Sequence, residues 1–82
     1  MIEDPQVKAN LAANVARLLK DRGWTQADLA ARTGDPEMTI SRVVRGLNVV
    51  GLGVAVRIAE AFDVSLDRLT GPPPKPIFRK TG

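Results

Sequence analysis

The segment formed by residues 25–46 restricts the fold of this chain more than any other stretch of its sequence. Within it, Ala30 is followed four positions later by Gly34, and Ile40 comes six positions after that. A small side chain lets two helices approach closely, and glycine readily adopts the positive φ that ends a helix in a tight turn. A large apolar side chain at Ile40 would then fill the angle between the helices. The spacing therefore predicts two short helices that cross around Ala30.

Capping residues mark where both helices should begin. Thr25 is a good N-cap, and Asp28 can return a hydrogen bond to it as a weaker form of the capping-box glutamate. Asp35 is the expected N-cap of the second helix. Pro36 then occupies the first helical position, where its missing N–H leaves no helical hydrogen bond unmade. These residues predict a second helix over residues 36–45.

The second helix is predicted to have two different faces. Ile40, Val43 and Val44 follow the i, i+3, i+4 spacing of a face turned to the core. A polar outer face is ordinary on a surface helix, but a DNA-binding helix-turn-helix also presents such a face to the major groove. The residues on the outer face are Met38, Ser41, Arg42 and Arg45.

The ordered set of residues in this segment resembles the phage repressor and Cro-like (Xre-type) helix-turn-helix family. The matching residues are Thr25-Gln26 at the start of a helix, Leu29-Ala30, Gly34, Thr39-Ile40-Ser41-Arg42 and the final Arg45-Gly46. The resemblance extends over about residues 7–69. It implies an all-α fold in which residues 1–70 form a five-helix repressor-like bundle and residues 71–82 form a flexible, Pro-rich basic tail.

The resemblance also implies a function and the residues that carry it. The protein would be a sequence-specific transcriptional repressor that binds double-stranded DNA as a homodimer on a near-palindromic site. Arg42 suits guanine because its fork matches two acceptors on that base, and Met38 offers apolar contact to a thymine methyl group. The implied base-reading residues are Glu37, Met38, Thr39, Ser41 and Arg42, and those that contact the DNA backbone are Thr25, Gln26, Arg45 and Asn48.

The chain departs from the family pattern at the contact between the first helix and the second helix of the motif. The family often pairs an arginine in the first helix with a glutamate near the end of the recognition helix. The matching positions here are Leu19 and Val44. Because a buried ion pair replaced by well-packed apolar side chains is often neutral or stabilising, we expect Leu19 and Val44 to be in contact.

The connection after Gly46 is unusually apolar, whereas in the family it is usually polar and often basic. Asn48 is the only polar side chain within residues 47–56. Val49, Val50 and Leu52 either pack on the core or form part of a dimer contact. Core packing is favoured because so short a chain needs apolar area.

Three further helices are predicted outside the motif. The first covers residues 5 or 6 to 22 with Asp4 as its cap, and residues 1–6 form an arm or a loose first turn. The fourth covers residues 51 or 52 to 62, and Ser65 caps a fifth helix, Leu66–Thr70. The core-facing residues are Leu11, Val15, Leu18 and Leu19, then Ala55, Ile58, Ala59 and Phe62, and finally Val64, Leu66 and Leu69.

Net charge supports binding to nucleic acid only weakly. The formal charge is +3, but residues 8–70 hold nine basic and seven acidic groups, and phosphate neutralisation supplies much of the affinity of DNA-binding proteins. The tail carries Lys75, Arg79 and Lys80 and no acidic residue. Three interpretations of the tail stay open: disorder, a basic arm on DNA, or a strand-like segment that uses Ile77 and Phe78 to pair with a second subunit.

Other functional classes are disfavoured by the residues that the chain lacks. It has no histidine and no cysteine, so the commonest acid–base groups, thiol nucleophiles and thiolate metal ligands are missing. No glycine-rich phosphate loop occurs. We therefore expect no catalytic residue, no metal and no cofactor. Neither a run of about 18 apolar residues nor a signal peptide is found, which predicts a cytoplasmic protein without a membrane span.

The alternative function is that of an antitoxin or another protein-interaction module, which would use the same helical fold to bind a protein partner. The apolar connection after Gly46 and the Ile77-Phe78 pair would suit such a partner. A steep fall of DNA affinity with salt would favour the regulator, whereas co-purification of a small protein would favour the interaction module.

Overall fold

Five α-helices account for most of residues 2–47 and 50–74, which are the residues that this computed structural model describes. In chain order they are α1 (Pro5–Arg22), α2 (Gln26–Thr33), α3 (Glu37–Val44), α4 (Leu52–Phe62) and α5 (Leu66–Thr70). The predicted all-α, five-helix fold is confirmed. Most of the predicted tail lies outside the described residues, as do Asn48 and Val49.

The apolar core lies between the helices because each of them turns one apolar face inward. Helix α1 packs against α3 and α5, and α4 packs against α2 and α5. Leu69 of α5 is buried, and Val64 and Leu66 are half-buried against the same core. The predicted core residues of the two longest helices are all buried: Leu11, Val15, Leu18 and Leu19 on α1, and Ala55, Ile58, Ala59 and Phe62 on α4.

Local hydrogen bonds fix the starts of α1 and α5 as the sequence predicts. The Asp4 Oδ1 accepts from the amides of Gln6 at 2.8 Å and Val7 at 3.2 Å. The Ser65 Oγ accepts from the amide of Arg68 at 3.0 Å. These side chains satisfy N–H groups that have no partner within the first turn of a helix.

The N-terminal residues are tied to the core, which differs from the predicted arm. Ile2 and Val50 form an isolated antiparallel bridge. The Ile2 amide donates to the Val50 carbonyl oxygen at 2.8 Å, and the Val50 amide donates to the Ile2 carbonyl oxygen at 3.3 Å. Ile2 is half-buried against the core and Val50 is buried in it. The arm prediction is wrong at Ile2 because both its backbone and its side chain find partners next to α4.

The apolar connection between α3 and α4 is divided between core and surface. Val50 confirms the expected core packing, but the Leu52 side chain is 53% exposed. Leu52 is the first residue of α4, one turn before the first buried residue of that helix, Ala55. Core packing is therefore wrong for Leu52. Leu47, at the other end of the connection, is 42% exposed.

Two buried asparagines of α1 close the C-terminal end of α5. The Asn14 Nδ2 donates to the carbonyl oxygens of Leu69 at 2.8 Å and Gly71 at 2.9 Å. The Asn10 Nδ2 donates to the carbonyl oxygen of Thr70 at 3.1 Å. The last carbonyl groups of a helix have no donor within the helix, so α1 supplies donors from its side chains. This contact holds the last helix of the bundle against the first.

Candidate nucleic-acid interface

The start of α2 is held by the predicted capping box. The Thr25 Oγ1 accepts from the Asp28 amide at 3.1 Å, and the Asp28 Oδ2 accepts from the Thr25 amide at 2.8 Å. Hydrogen bonds from Thr25, above all that from its backbone N–H, hold the pKa of Asp28 below its usual value. Thr25 is exposed and Gln26 is half-buried. The start of the helix is therefore accessible to solvent, and a helix N-terminus can bind a phosphate.

Gly34 turns the chain between α2 and α3, as the spacing of Ala30, Gly34 and Ile40 predicts. Its φ is 81°, and its amide donates to the carbonyl oxygen of Ala30 at 2.8 Å. Ala30 and Ile40 are both buried. No atom would lie within 4 Å of a Cβ placed at Gly34. Glycine is therefore needed here for its backbone conformation and not for space.

The start of α3 differs from the sequence prediction. Pro36, with φ −61° and ψ 144°, is the N-cap, and no side chain caps this helix. The predicted cap, Asp35, instead binds Arg57 of α4: its Oδ1 accepts from Nη2 at 2.7 Å and its Oδ2 accepts from Nε at 3.1 Å. Two charge-assisted bonds to one guanidinium are stronger than a single bond to a backbone amide. The ion pair therefore prevails over the cap.

Each partner of this ion pair favours the charged form of the other. Hydrogen bonds from Arg57 hold the pKa of Asp35 below its usual value, and the Asp35 carboxylate raises the pKa of Arg57. The Asp35 side chain is 10% exposed, whereas that of Arg57 is 47% exposed. The carboxylate is thus enclosed at the turn, and the guanidinium covers it from the solvent side.

Helix α3 has an apolar inner face and a largely exposed outer face. Ile40 and Val43 are buried, and Val44 is half-buried against the core. Met38, on the outer face, is 64% exposed. The other predicted DNA-contacting residues here differ in exposure: Glu37, Arg42 and Arg45 are exposed, whereas Thr39 and Ser41 are half-buried. This is the two-faced helix that the spacing predicts.

The turn and both helices beside it lie within the part of the chain that matches a known family. A family model described as helix-turn-helix matches residues 15–69. The chain belongs to the helix-turn-helix family of the phage repressor and Cro (Xre) type. Its fold is also similar to the crystal structure of the hypothetical transcription factor NHTF from Neisseria. That match has a TM-score of 0.78 and 30% sequence identity, and it covers 89% of this chain and 85% of that chain. A comparison with curated proteins gave no significant match.

Family membership and the likeness to a transcription factor support a DNA-binding transcriptional regulator, with α3 in the position of the recognition helix. On one flank of α3, Thr39 and Arg42 lie beside the start of α4. They line a cavity of about 260 Å³ together with Val43, Leu47, Val50, Gly51 and Val54. The helix-turn-helix thus brings two of its predicted base-reading residues next to the apolar connection that follows it.

Arg45, the C-cap of α3, lies close to α1. It shares the rim of a shallow groove with Lys8, and the floor of this groove is formed by Ala9, Ala12, Ala13 and Ala16. The sequence did not indicate that Lys8 and Arg45 line the same groove, because no local pattern relates two residues so far apart in the chain. Thr25 and Gln26 are on a separate helix of the motif, and Asn48 lies outside the described residues.

Leu19 and Val44, the apolar residues at the positions of the family's ion pair, both belong to the core region of this helix-turn-helix protein. Leu19 is buried, and Val44 is half-buried against the same core. Helices α1 and α3, which carry them, pack together. The direct contact between the Leu19 and Val44 side chains stays a prediction.

Two further properties concern residues 2–47 and 50–74 of this helix-turn-helix protein. No helix there combines the length and the apolar character that crossing a membrane requires. In the same residues, His, Cys, Asp and Glu side chains do not come together in a group of three that could hold a metal ion.

Proposed function

We propose that this protein is a cytoplasmic, sequence-specific transcriptional repressor that reads the major groove of DNA with the outer face of α3. One observation carries the proposal: Met38 and Arg42 are exposed on α3, and so is its C-cap Arg45, while Ile40 and Val43 anchor the opposite face of the helix in the core. A rigid helix with free side chains on its outer face suits base reading, because its position does not depend on the groups that touch DNA.

The start of α2 is proposed to set the register of the protein on the duplex. Thr25 is exposed at the N-terminus of this helix and Gln26 follows it. The positive end of the helix dipole and the Gln26 side-chain amide would both favour a phosphate oxygen. Contacts to phosphates position a protein without reading sequence. Arg45, at the other end of the motif, is proposed to contact the backbone of the same half-site.

Base reading is assigned to the exposed start and middle of α3. Arg42 is proposed to donate to the two acceptors of a guanine, and Met38 to contact a thymine methyl group. Glu37 either accepts from the amino group of a cytosine or disfavours wrong sites by repelling phosphate. Thr39 and Ser41 are half-buried beside these residues and would contact bases only at close approach.

We further propose that the protein binds as a homodimer on a near-palindromic site. A single recognition helix makes few base contacts, and two-fold pairing doubles them with half-sites roughly 34 Å apart. Among the described residues at the two ends of the connection between α3 and α4, Leu47 and Leu52 are large, apolar and exposed. Since this connection adjoins the recognition helix, a second copy that covers these leucines would hold both recognition helices on one side of the DNA.

Selection of bound sequences from random DNA tests the site, its symmetry and its spacing together. We expect enrichment of two inverted half-sites separated by about one helical turn. The affinity for this site should fall steeply with salt concentration, because bound phosphates release counterions. Absence of any enriched sequence would contradict the proposal. Enrichment of a single, unrepeated half-site would contradict the homodimer.

A second candidate function is that of an antitoxin or another module that binds a protein partner. The observation that favours it is charge: residues 1–74 carry nine basic and nine acidic side chains and so have no net charge. The exposed Leu47 and Leu52 would suit a protein surface as well as a second copy. Co-purification of a stoichiometric small protein with the intact chain, lost in a Leu47→Ser/Leu52→Ser variant, would support this candidate.

A further inference from the structure

An ion pair joins the turn of the helix-turn-helix to α4. Within residues 2–47 and 50–74 the structure has two ion pairs, and the other, between Arg17 and Asp21, lies inside α1. Of these two ion pairs, the one between Asp35 and Arg57 is therefore the pair that links separate structural elements. It is bidentate, with donor–acceptor distances of 2.7 Å and 3.1 Å. A planar fork of this kind fixes orientation as well as distance.

Asp35 is held from its backbone as well as from its side chain. Its amide donates to the Thr33 Oγ1 at 3.2 Å, and this hydroxyl donates to the Ala30 carbonyl oxygen at 3.3 Å. The next residue is Pro36, the N-cap of α3. Because proline restricts φ, few free backbone torsions separate Asp35 from the first residues of α3.

Helix α4 leaves room for the Arg57 guanidinium at Gly53, which has no side chain. A Cβ placed at Gly53 would lie 3.2 Å from the Arg57 Nη1, which is closer than most side-chain carbon contacts. Glycine at this position therefore lets the guanidinium lie along the helix and reach the turn. With this partner in place, the Asp35 side chain is only 10% exposed.

We propose that Arg57 is a positioning residue for base reading, which acts through Asp35. The bidentate bond sets the start of α3, and with it Glu37 and Met38, relative to α2 and α4. On this proposal, Arg57 and Asp35 act without contacting DNA themselves. This inference rests on the proposed function, since it assumes that α3 reads bases. It goes further by assigning part of the sequence preference to a residue on a helix outside the motif.

The test compares the intact wild-type protein with Arg57→Gln, Asp35→Asn and the double variant. Affinity is measured for the best site selected by the wild type and for random DNA. We expect Arg57→Gln to lower the ratio of these two affinities by about tenfold, which is within the range for loss of one base contact. The slope of affinity against salt should not change, because no phosphate contact is lost. The double variant should show the same loss as either single variant, since the two residues act as one unit.

Arg68→Gln is the matched control, because it removes the same charge from an exposed arginine, on α5, far in sequence from the motif. It should leave the affinity ratio at the wild-type value. Thermal melting of every variant tests whether it is folded at the temperature of the binding measurement. Arg57→Lys keeps the positive charge but cannot form two parallel hydrogen bonds to the carboxylate. Its affinity ratio should therefore lie between those of Arg57→Gln and the wild type.

A second measurement makes the inference testable without DNA. In Arg57→Gln, the backbone amide resonances of Glu37 and Met38 should shift in two-dimensional NMR spectra, whereas those of α1 should not. Unchanged resonances at the start of α3 would overturn the positioning role. An unchanged affinity ratio would overturn it too, and a smaller salt slope would show that Arg57 contacts phosphate instead. If the wild type selects no sequence, the proposed function fails, and the amide shifts alone then report whether the bond positions α3.

Discussion

At the scale of single residues, Arg42 carries the most specific of the proposed base contacts. It is exposed on the outer face of α3, while its neighbour Val43 is buried in the core. A change at Arg42 therefore removes a side chain from the surface and leaves the packing of the helix intact. The effect on DNA binding can thus be separated from any effect on folding.

We predict that Arg42→Ala weakens binding to the selected site by about 1–3 kcal/mol and relaxes the preference at one base pair. The reason is the loss of two hydrogen bonds to the acceptors of a guanine. Affinities for the selected site and for its single-base variants measure both effects. Equal affinity and an unchanged preference in the variant would remove Arg42 from the base-reading set.

Gln26→Ala is compared with Arg42→Ala, because Gln26 is proposed to contact the DNA backbone and Arg42 a base. Gln26 is the first residue of α2, where a contact to phosphate would add affinity without reading sequence. The variant should lose affinity by a similar factor on the selected site, on its variants and on random DNA. A loss confined to one base pair would move Gln26 from the backbone contacts to the base contacts.

At the scale of helices and turns, the geometry of the motif depends on Gly34. Of the residues that connect α2 to α3, it is the one with a positive φ. We predict that Gly34→Ala lowers the free energy of unfolding by about 1 kcal/mol, the usual cost of a left-handed residue with a Cβ. No steric term is expected, because nothing lies within 4 Å of the added Cβ. Urea unfolding followed by circular dichroism measures the difference.

Gly51→Ala provides the matched control for this turn. Gly51 has a φ of −66° and also has no atom within 4 Å of an added Cβ. Its change should alter the free energy of unfolding by less than about 0.5 kcal/mol, because alanine restricts the unfolded chain but is a slightly poorer N-cap. If both variants lose the same stability, the positive φ of Gly34 is not the cause.

The carboxylates of Asp28 and Asp35, at the starts of α2 and α3, also make the stability of the fold depend on pH under acidic conditions. The folded-state pKa of Asp35 is lowered by hydrogen bonds from Arg57, and that of Asp28 by hydrogen bonds from Thr25. A lowered pKa contributes stability above the unfolded value of about 3.9, and this contribution is lost as pH falls through the folded value. We predict that Asp35→Asn has a smaller fall in melting temperature than the wild type as pH is lowered below about 4.

Arg57→Gln is the control for this pH dependence, since it removes the cause of the shift and leaves the carboxylate in place. It should reduce the fall in melting temperature below about pH 4 by about as much as Asp35→Asn does. The part due to Asp28 should remain in both variants and disappear in Asp28→Asn. Parallel profiles of Asp35→Asn and the wild type would show that the ion pair does not contribute.

The elements that could be predicted from the sequence are those made by residues close together in the chain. The capping box of Thr25 and Asp28 and the turn at Gly34 involve partners within four positions, and the helical spacing of apolar residues gave the core of α1 and α4. Asp35 shows the limit: as a cap it needed only its neighbours, but its actual partner is Arg57, 22 positions away. The Ile2–Val50 bridge and the bonds from Asn14 to the end of α5 are of the same kind.

At the scale of the whole molecule, charge is distributed unevenly along the chain. Residues 1–74 have as many acidic as basic side chains, so the net charge of +3 is contributed by Lys75, Arg79 and Lys80. On the proposed function, the helical bundle binds phosphate through local groups such as Arg45 and the start of α2, without help from a net positive charge. The residues that supply the net charge lie within residues 75–82, outside the described residues, and they are the candidates for a general attraction to DNA.

We predict that changing Lys75, Arg79 and Lys80 to glutamine weakens binding to the selected site and to random DNA alike. The slope of log affinity against log salt concentration should become smaller by about 0.9 for each of these charges that meets a phosphate. The preference among sequences should not change, since base reading is proposed for α3 and not for this segment. The matched control is Ile77→Ser/Phe78→Ser, which keeps every charge of the segment and should keep the wild-type slope. An unchanged slope in the glutamine variant would show that the segment stays away from DNA, and a lower slope in the serine variant would show that its apolar residues hold the charges in place.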